Sequence, residues 1–336
     1  RVIDRLLRDP RYAQHQTGVW DMVLFGRQPP GYDADKRPGF HVWMRKQFEK
    51  NTPYDEIVRA ILKAEGNTAD DGAPYFYVQY RNNPDDAIQA VVQRFLGVQL
   101  QCARCHDHPY EPWKQVEFYG MAAFLARLDV VEVGKNKDEK KLAIGEQPVG
   151  EIKFTGPASE QQAGQKGVPV APRFLGGEPL DEPAPPEDVK EIKFKNNEQP
   201  PKPYFSRKDQ LAQWVTSKDN PYFARAAVNS VWGKVMGRGN VHHVDAMSQP
   251  KKASHPELLE AMTEAFIARG FDMKWLIREI VSSKAYQIGE TGDTDRAAPR
   301  WFQRARVRPL SAEELTASWR VATNYAAVDS KTEERV

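Results

Sequence analysis

One pentapeptide, CARCH at residues 102–106, constrains this chain more than any other feature of its sequence. Cys102 and Cys105 are the only cysteines among 336 residues, and His106 follows the second cysteine directly. Two cysteines cannot form the disulfide framework of a small cysteine-rich protein. With 40% hydrophobic and 28% charged residues, the chain has the composition of an ordinary globular protein with a hydrophobic core.

The charge balance and hydropathy exclude two classes of partner. The 48 basic and 46 acidic residues are interspersed, with a net charge of +2, so no nucleic-acid-binding surface is predicted. No run approaches the roughly 20 apolar residues that a membrane-spanning helix needs, so no transmembrane segment is predicted. The start of the chain carries no signal-peptide core, and we expect any export signal to precede Arg1.

Helix start and stop signals organise the first third of the chain. In NNPDDAIQAVVQRFLGVQL, Asn83 is the predicted cap, Pro84 takes the first helical position, and Gly97 ends the helix. This helix leads directly to Cys102. After the motif, VEFYGMAAFLARL is apolar enough to form a buried helix. We therefore predict a helical first domain over residues 1–129.

The composition changes in the middle of the chain. Eleven of the 25 prolines lie between residues 130 and 203, together with Gly, Gln and Lys. Two segments there, VGEIKF (149–154) and VKEIKF (189–194), alternate like β-strands. The pattern predicts a Pro-rich insertion of loops and partial β-structure at residues 130–205, with a partly flexible linker as the alternative.

The last third, residues 206–336, is predicted to be a second helical domain. Ser206 precedes one helix, and Gly237 ends another. Ser254 and Glu257 have the spacing of a capping box. The predicted fold class is therefore mainly α, with two helical domains separated by the insertion.

The pentapeptide has the signature of covalent haem c attachment. Two thiols add across the two vinyl groups of the porphyrin, and a histidine directly after them reaches the iron from the same side. Cys102 and Cys105 are the predicted thioether residues, and His106 is the predicted proximal axial ligand. The sequence contains no second attachment motif, so one covalently bound haem c is predicted.

Two other chemistries use the same spacing. A structural zinc site needs four ligands, of which Cys102, Cys105 and His108 would supply three, but no second ligand pair follows. A redox disulfide normally lies where a strand meets a helix in a thioredoxin-like pattern, and no such pattern surrounds Cys102.

The other axial position of the iron decides what a haem does. A His or Met ligand there gives an electron carrier, whereas an open position permits peroxidase-like chemistry. The segment GRGNVHHVDAMSQPKKASHPELL (237–259) contains the candidate distal ligands, which we rank as His242, then Met247, then His243. A further prediction concerns the haem wall, for which the aromatic residues near the motif are candidates, although core residues would look the same: Tyr110, Trp113, Phe118 and Tyr119.

Longer stretches of the sequence resemble a known family. PRYAQHQTGVWDMVLFG, NTPYDEIVRAIL and FLGVQLQCARCHDHPYEPWKQVEFYGMAAFLARL resemble the first of two tandem domains in planctomycete-type cytochrome-like proteins, which are large and exported. LAQWVTSKDNPYFARAAVNSVWGKVMGRGNVHHVDAM and SHPELLEAMTEAFIARGFDMKWLIREIVSSKAYQ resemble the second. The resemblance covers nearly all of the chain, and its most specific part is the Cys-x-x-Cys-His block.

The resemblance implies a haem c domain followed by an α-helical partner domain, located in the periplasm or at the cell surface. We therefore predict a monohaem c-type cytochrome that transfers single electrons to a protein redox partner or within a larger extracytoplasmic complex. Two alternatives remain: a peroxidase-like haem enzyme with an open distal site, and an assembly or binding component in which the haem is structural. An electron carrier is favoured over a catalyst.

Overall fold

A computed structural model describes residues 1–26, 37–68, 71–81, 83–133, 141–154, 167–190, 202–249, 252–289, 298–305 and 308–323. The α-helices in these ranges, numbered α1 to α13 in chain order, are Val2–Arg8, Arg11–Phe25, Arg37–Lys50, Tyr54–Lys63, Tyr75–Val78, Pro84–Val91, Gln115–Ala122, Arg207–Val215, Phe223–Met236, Pro256–Ala268, Met273–Ser282, Lys284–Gln287 and Ala312–Ala322. The predicted mainly α fold is confirmed. None of the described helices combines the length and the apolar character needed to span a membrane.

The strands are short and form two small antiparallel sheets. They are numbered β1 to β5 and comprise Gly66–Asn67, Leu128–Val133, Lys141–Glu146, Lys153–Phe154 and Val168–Pro169. The first sheet has the order β1-β3-β2, and β4 pairs with β5 in the second. β1 belongs to the first third of the chain and β3 to the insertion, so the insertion is joined to the first third by strand pairing.

The first and last thirds share one hydrophobic core. Helix α4 buries Tyr54, Ile57 and Ile61 at helical spacing, and it packs against α8 from the last third. The ring of Tyr54 stacks on that of Phe223 in α9, with centroids 5.0 Å apart and an interplanar angle of 8°. The two helical regions are thus packed together through buried aromatic side chains.

Part of the insertion packs between the two helical regions. The ring of Phe174 stacks on Phe124 at 4.7 Å and on Trp214 of α8 at 5.0 Å. The first predicted strand, VGEIKF, forms a β-strand at Lys153–Phe154, which is β4. Most of the second, VKEIKF, lies outside the described residues.

Buried charges hold the start of α8 in place. Glu146, at the end of β3, is 1% exposed and accepts hydrogen bonds from the Ser206 hydroxyl and from the backbone N–H groups of Arg207 and Lys208. Lys208, also 1% exposed, donates its Nζ to the Ala64 carbonyl at 2.8 Å. Burial raises the pKa of the Glu146 carboxyl and lowers the pKa of the Lys208 ammonium.

A second carboxylate, which is partly buried, joins two arginines. Glu182 accepts two hydrogen bonds from Arg207, at 2.9 and 2.7 Å, and forms an ion pair of 2.6 Å with Arg127 without hydrogen-bond geometry. The three side chains are between 6% and 14% exposed. Glu182 lies in the insertion, so this ion pair links all three regions of the chain.

The predicted helix caps differ in their outcome. The side chains of Asn83 and Ser206 accept the expected backbone N–H groups, which confirms both caps. The capping box predicted at Ser254 and Glu257 is wrong. His255 occupies the cap position of α10, and Ser254 is bonded instead to Asn240, through its amide and its hydroxyl.

Candidate functional site

Helix α6 and the turn after it bring the chain to the CARCH motif. The Asn83 side chain caps α6, and a π-helical turn over Val92–Leu96 follows it. Gly97 ends this turn in the left-handed conformation, with φ of +63°, which glycine adopts without the steric cost borne by other residues. The motif thus begins only a few residues beyond a well-defined helix end.

Cys102 lies in a 3₁₀ turn, and Cys105 is the residue that directly follows this turn. The turn spans Gln101–Arg104, and the N–H of Cys105 donates to the carbonyl of Cys102 at 3.4 Å. Residues three apart eclipse one another in such a turn. Both thiols are exposed and free, whereas Ala103 between them is fully buried. The turn and the residue after it therefore present two free thiols, and Ala103 anchors the turn.

Arg104, inside the motif, fastens the turn to the helices on either side of it. Its guanidinium forms ion pairs with Asp85 at 3.2 Å and Asp86 at 2.9 Å, both in the first turn of α6. Its carbonyl accepts the Gln115 side-chain amide at 3.0 Å and the Tyr119 hydroxyl at 3.2 Å, both from α7. This role of Arg104 was not predicted, although the two acidic residues and the arginine are evident in the sequence.

His106 is exposed, and its ring is oriented by the backbone. Its Nδ1 lies 2.7 Å from the carbonyl oxygen of Asp107. A carbonyl only accepts, so Nδ1 carries the proton in this contact, and the lone pair of the neutral ring is on Nε2. A backbone carbonyl bonded to the other nitrogen is a common arrangement for a metal-ligating histidine.

His108 organises the loop that follows the motif. Its Nδ1 accepts the backbone N–H groups of Tyr110 at 3.2 Å and Glu111 at 3.0 Å. The backbone N–H of His108 donates to the carbonyl of Trp113 at 2.8 Å. His108 is also a candidate zinc ligand by its sequence position. Within the described ranges, no group of three or more His, Cys, Asp and Glu side chains is gathered as a metal site.

The four aromatic residues proposed for a haem wall occupy different environments. Tyr110 is 86% exposed, whereas Trp113 and Phe118 are buried in the core at 5% and 1%. Tyr119 is partly buried and stacks on Phe154 of β4, with centroids 4.9 Å apart. Tyr110 lies on the surface with the motif, and the assignment of all four as a haem wall stays a prediction.

Two family models match the chain in tandem. Residues 1–130 match PSCyt2, a protein of unknown function (DUF1549), and residues 207–332 match PSD1, a protein of unknown function (DUF1553). The chain is thus similar to this pair of domains over two ranges that lie one after the other. This is the pair found in the planctomycete cytochrome-like proteins that the sequence resembles. No curated protein and no solved structure matches the chain. We call the two matched ranges the PSCyt2 segment and the PSD1 segment.

The predicted distal ligands lie in one loop of the PSD1 segment, residues 240–249. His242 and His243 are exposed, and their rings stack with centroids 4.4 Å apart. Met247 is fully buried and packs against Gly97 of the PSCyt2 segment. The loop contacts the chain before and after the CARCH motif, so the structure brings these two parts of the sequence together.

The donor set of the PSCyt2 motif suits covalent haem c attachment. Thioether formation needs two accessible, unpaired thiols, and Cys102 and Cys105 are both exposed and free. Axial ligation needs an imidazole with an available nitrogen on the adjacent residue, and His106 is exposed with its Nδ1 already bonded to the backbone. The residues present therefore fit this group in number, chemical type and accessibility.

Proposed function

We propose that the chain is a monohaem c-type cytochrome that transfers single electrons outside the cytoplasm. The observation that carries this proposal is the pair of free, exposed thiols at the 3₁₀ turn and the residue after it, with an exposed imidazole on the next residue. Cys102 and Cys105 would hold the haem through thioether bonds, and His106 would be its proximal ligand. When bound, the haem supplies a one-electron redox couple.

The remaining residues of the site hold this attachment point rigid. Arg104 is tied to α6 by two ion pairs and to α7 by two hydrogen bonds to its carbonyl. Ala103 is packed in the core. A turn held at several points would keep the His106 imidazole in a defined orientation for binding a haem iron.

The surface position of the motif favours electron transfer over a purely structural haem. Electron transfer needs a short path between a donor and an acceptor, and an attachment point on the protein surface provides one. We propose a protein redox partner or a larger complex as the exchange partner. The family resemblance supports a periplasmic or cell-surface location, because haem c is attached on the outer face of the bacterial membrane.

The distal ligand is proposed to come from the 240–249 loop. His242 and His243 are exposed there, so neither side chain would have to leave the hydrophobic core to bind iron. Met247 would have to leave its buried position against Gly97 before its sulfur could bind iron. This difference in burial favours a histidine over Met247.

The decisive experiment is intact mass and absorption spectroscopy on protein made in a host that attaches haem c. The proposal expects a mass increase of one haem that survives denaturation, with sharp low-spin bands in the reduced state. Replacing both cysteines, Cys102→Ser with Cys105→Ser, should abolish the increase. Wild-type protein without covalent haem would refute the proposal.

Single variants then assign the distal ligand. His242→Ala, His243→Ala and Met247→Ala are compared by the spin state of the oxidised and reduced haem. Loss of the low-spin spectrum in one variant identifies the ligand. A high-spin spectrum already present in the wild type would instead indicate an open distal site and support the peroxidase-like alternative.

A further inference from the structure

The 240–249 loop of the PSD1 segment contacts the PSCyt2 segment on both sides of the CARCH motif. On the near side it meets Gly97, which ends the turn leading to the motif. On the far side it meets Tyr110 and Trp113, which follow the motif. A single loop from the second segment therefore spans the stretch of chain that presents the two cysteines and His106.

The near-side contact, between Gly97 and the loop, is closely packed. The backbone N–H of Met247 donates to the carbonyl of Gly97 at 2.8 Å. A Cβ atom on Gly97 would lie 2.6 Å from Met247 Cγ and 3.1 Å from the Val244 carbonyl oxygen. The Gln93 side chain also donates to Asp245 at 2.8 Å. The position of the helix end before the motif is thus fixed against the loop.

The far-side contact is made by polar side chains. Gln249 donates its Nε2 to the carbonyl of Tyr110 at 3.3 Å and to the carboxylate of Glu111. The indole N–H of Trp113 donates to the Ser248 hydroxyl at 3.4 Å. Tyr110 and Glu111 are also the two residues whose backbone amides donate to His108. The contact therefore acts on the loop that His108 organises after the motif.

The 240–249 loop is itself held by its own segment. Asn229, fully buried in α9, accepts the N–H of Val241 and donates to the carbonyl of Val241, both at 2.9 Å. The carbonyl of Asn240 accepts the N–H of Ser254 at 2.8 Å. These bonds hold the start of the loop, Asn240 and Val241, to the rest of its own segment.

We propose that Gln249, with Ser248 and Met247, forms a positioning element through which the PSD1 segment sets the conformation of residues 98–113, the stretch that contains the CARCH motif. The PSD1 segment would then be a structural part of the motif's site. An effect of Gln249 on the haem rests on the proposed function. An effect of Gln249 on the conformation of residues 98–113 does not require a haem.

The first test uses the full chain in haem-free form with reduced thiols. Amide hydrogen exchange is followed for residues 98–113 in wild type, Gln249→Ala and Gln213→Ala. Gln213 is an exposed glutamine of α8 in the same segment and serves as the matched control. We expect Gln249→Ala to speed exchange of the His108, Tyr110 and Glu111 amides by roughly three- to tenfold, as the loss of one or two hydrogen bonds predicts.

A variant that keeps the hydrogen-bond donor separates positioning by Gln249 from a general loss of stability. Gln249→Lys keeps a donor for the Tyr110 carbonyl and adds a charge that suits the Glu111 carboxylate, so it should return exchange toward the wild-type rate. Gln249→Ala and Gln213→Ala should leave the melting temperature similar. Equal exchange at residues 98–113 in wild type and Gln249→Ala would overturn the inference.

Haem-loaded protein provides the second measurement. If the inference holds, Gln249→Ala shifts the midpoint potential and Gln213→Ala does not, with haem still attached in both. Unchanged potential together with unchanged exchange refutes the positioning role while the proposed function stands. Absence of covalent haem in the wild type refutes the proposed function, and the exchange experiment then decides the inference alone.

Discussion

The side chain of Met247 fills the space that a side chain on Gly97 would need, with Met247 Cγ 2.6 Å from the position of a Cβ atom. The two residues lie 150 positions apart in the sequence and in different family segments. Gly97 also has φ of +63°, a conformation in which other residues are strained. Two independent physical reasons therefore require glycine at the residue that precedes the motif loop.

Gly97→Ala should lower the free energy of unfolding by about 3 kcal/mol, from the left-handed backbone and the overlap with Met247 together. Urea denaturation of the purified variant measures this change. Gly18→Ala is the matched control, because Gly18 lies within α2 and a Cβ atom there meets nothing within 4 Å. Gly18→Ala should raise the free energy of unfolding by about 0.5–1 kcal/mol. Similar effects of the two substitutions would contradict this account of Gly97.

Arg104→Met should destabilise the protein most at neutral pH. Burial, the largest influence, raises the pKa of Asp85, and Arg104 opposes that rise. A carboxyl whose pKa is raised on folding contributes stability that is complete below its unfolded pKa and lost as pH rises through the folded value. Removing Arg104 raises the folded pKa further, so the loss relative to wild type is about 1 kcal/mol at pH 7 and shrinks in acid.

Urea unfolding between pH 4 and pH 8 measures the effect of Arg104→Met. Arg45→Met is the control, because the ion pair of Arg45 with Glu49 is exposed on both sides. Its removal should cost no more than about 0.5 kcal/mol at any of these pH values. A loss from Arg104→Met that stays constant across the range would show that packing of the side chain, rather than its charge, matters.

His108→Ala should loosen the loop after the motif without unfolding the core. The substitution removes the acceptor of the Tyr110 and Glu111 amides. Exchange of those two amides should accelerate by about tenfold, the equivalent of a hydrogen bond of about 1.4 kcal/mol. His108→Asn places an acceptor oxygen near the position of Nδ1 and should restore most of the protection. Equal exchange in the Ala and Asn variants would argue against this role.

Glu182→Ala should lower the free energy of unfolding by about 3 kcal/mol or more, because it leaves Arg127 and Arg207 buried without their carboxylate. The loss should be nearly independent of salt, since buried pairs are poorly screened. Thermal unfolding at low and high salt measures both points. Glu260→Ala, which removes the half-exposed partner of Arg225, should cost no more than about 1 kcal/mol. An effect of Glu182→Ala as small as that of Glu260→Ala would show that the ion pairs of Glu182 with Arg127 and Arg207 contribute little to stability.

The sequence predicts those features that depend on neighbouring residues. The cap at Asn83 and the stop at Gly97 follow from local hydrogen bonding and backbone conformation, and both are present. The capping box at Ser254 fails for a tertiary reason: Asn240, brought close by the preceding loop, binds the amide and hydroxyl of Ser254. Ser254 and Glu257 have the residue types and spacing of a capping box, but the contact of Ser254 with Asn240, 14 residues earlier, replaces it.

The same distinction applies to the candidate site. Cys102, Cys105 and His106 form a local pattern, and their exposure is consistent with the chemistry predicted for them. The support given by Gln249 could not be predicted, because it depends on contacts 138 and 139 residues away. The aromatic residues near the motif likewise could not be divided by sequence into Tyr110 on the surface and Trp113 in the core.

Glu146 lies outside both matched segments, yet it binds the first backbone amides of α8. A fragment cloned from residue 207 would start this helix without that carboxylate and without the Ser206 hydroxyl. A fragment ending at residue 130 would expose the face of Tyr54 that Phe223 covers. Expression boundaries drawn from the family matches would thus cut through a folding unit. The smallest soluble piece of this protein should include both segments and the chain between them.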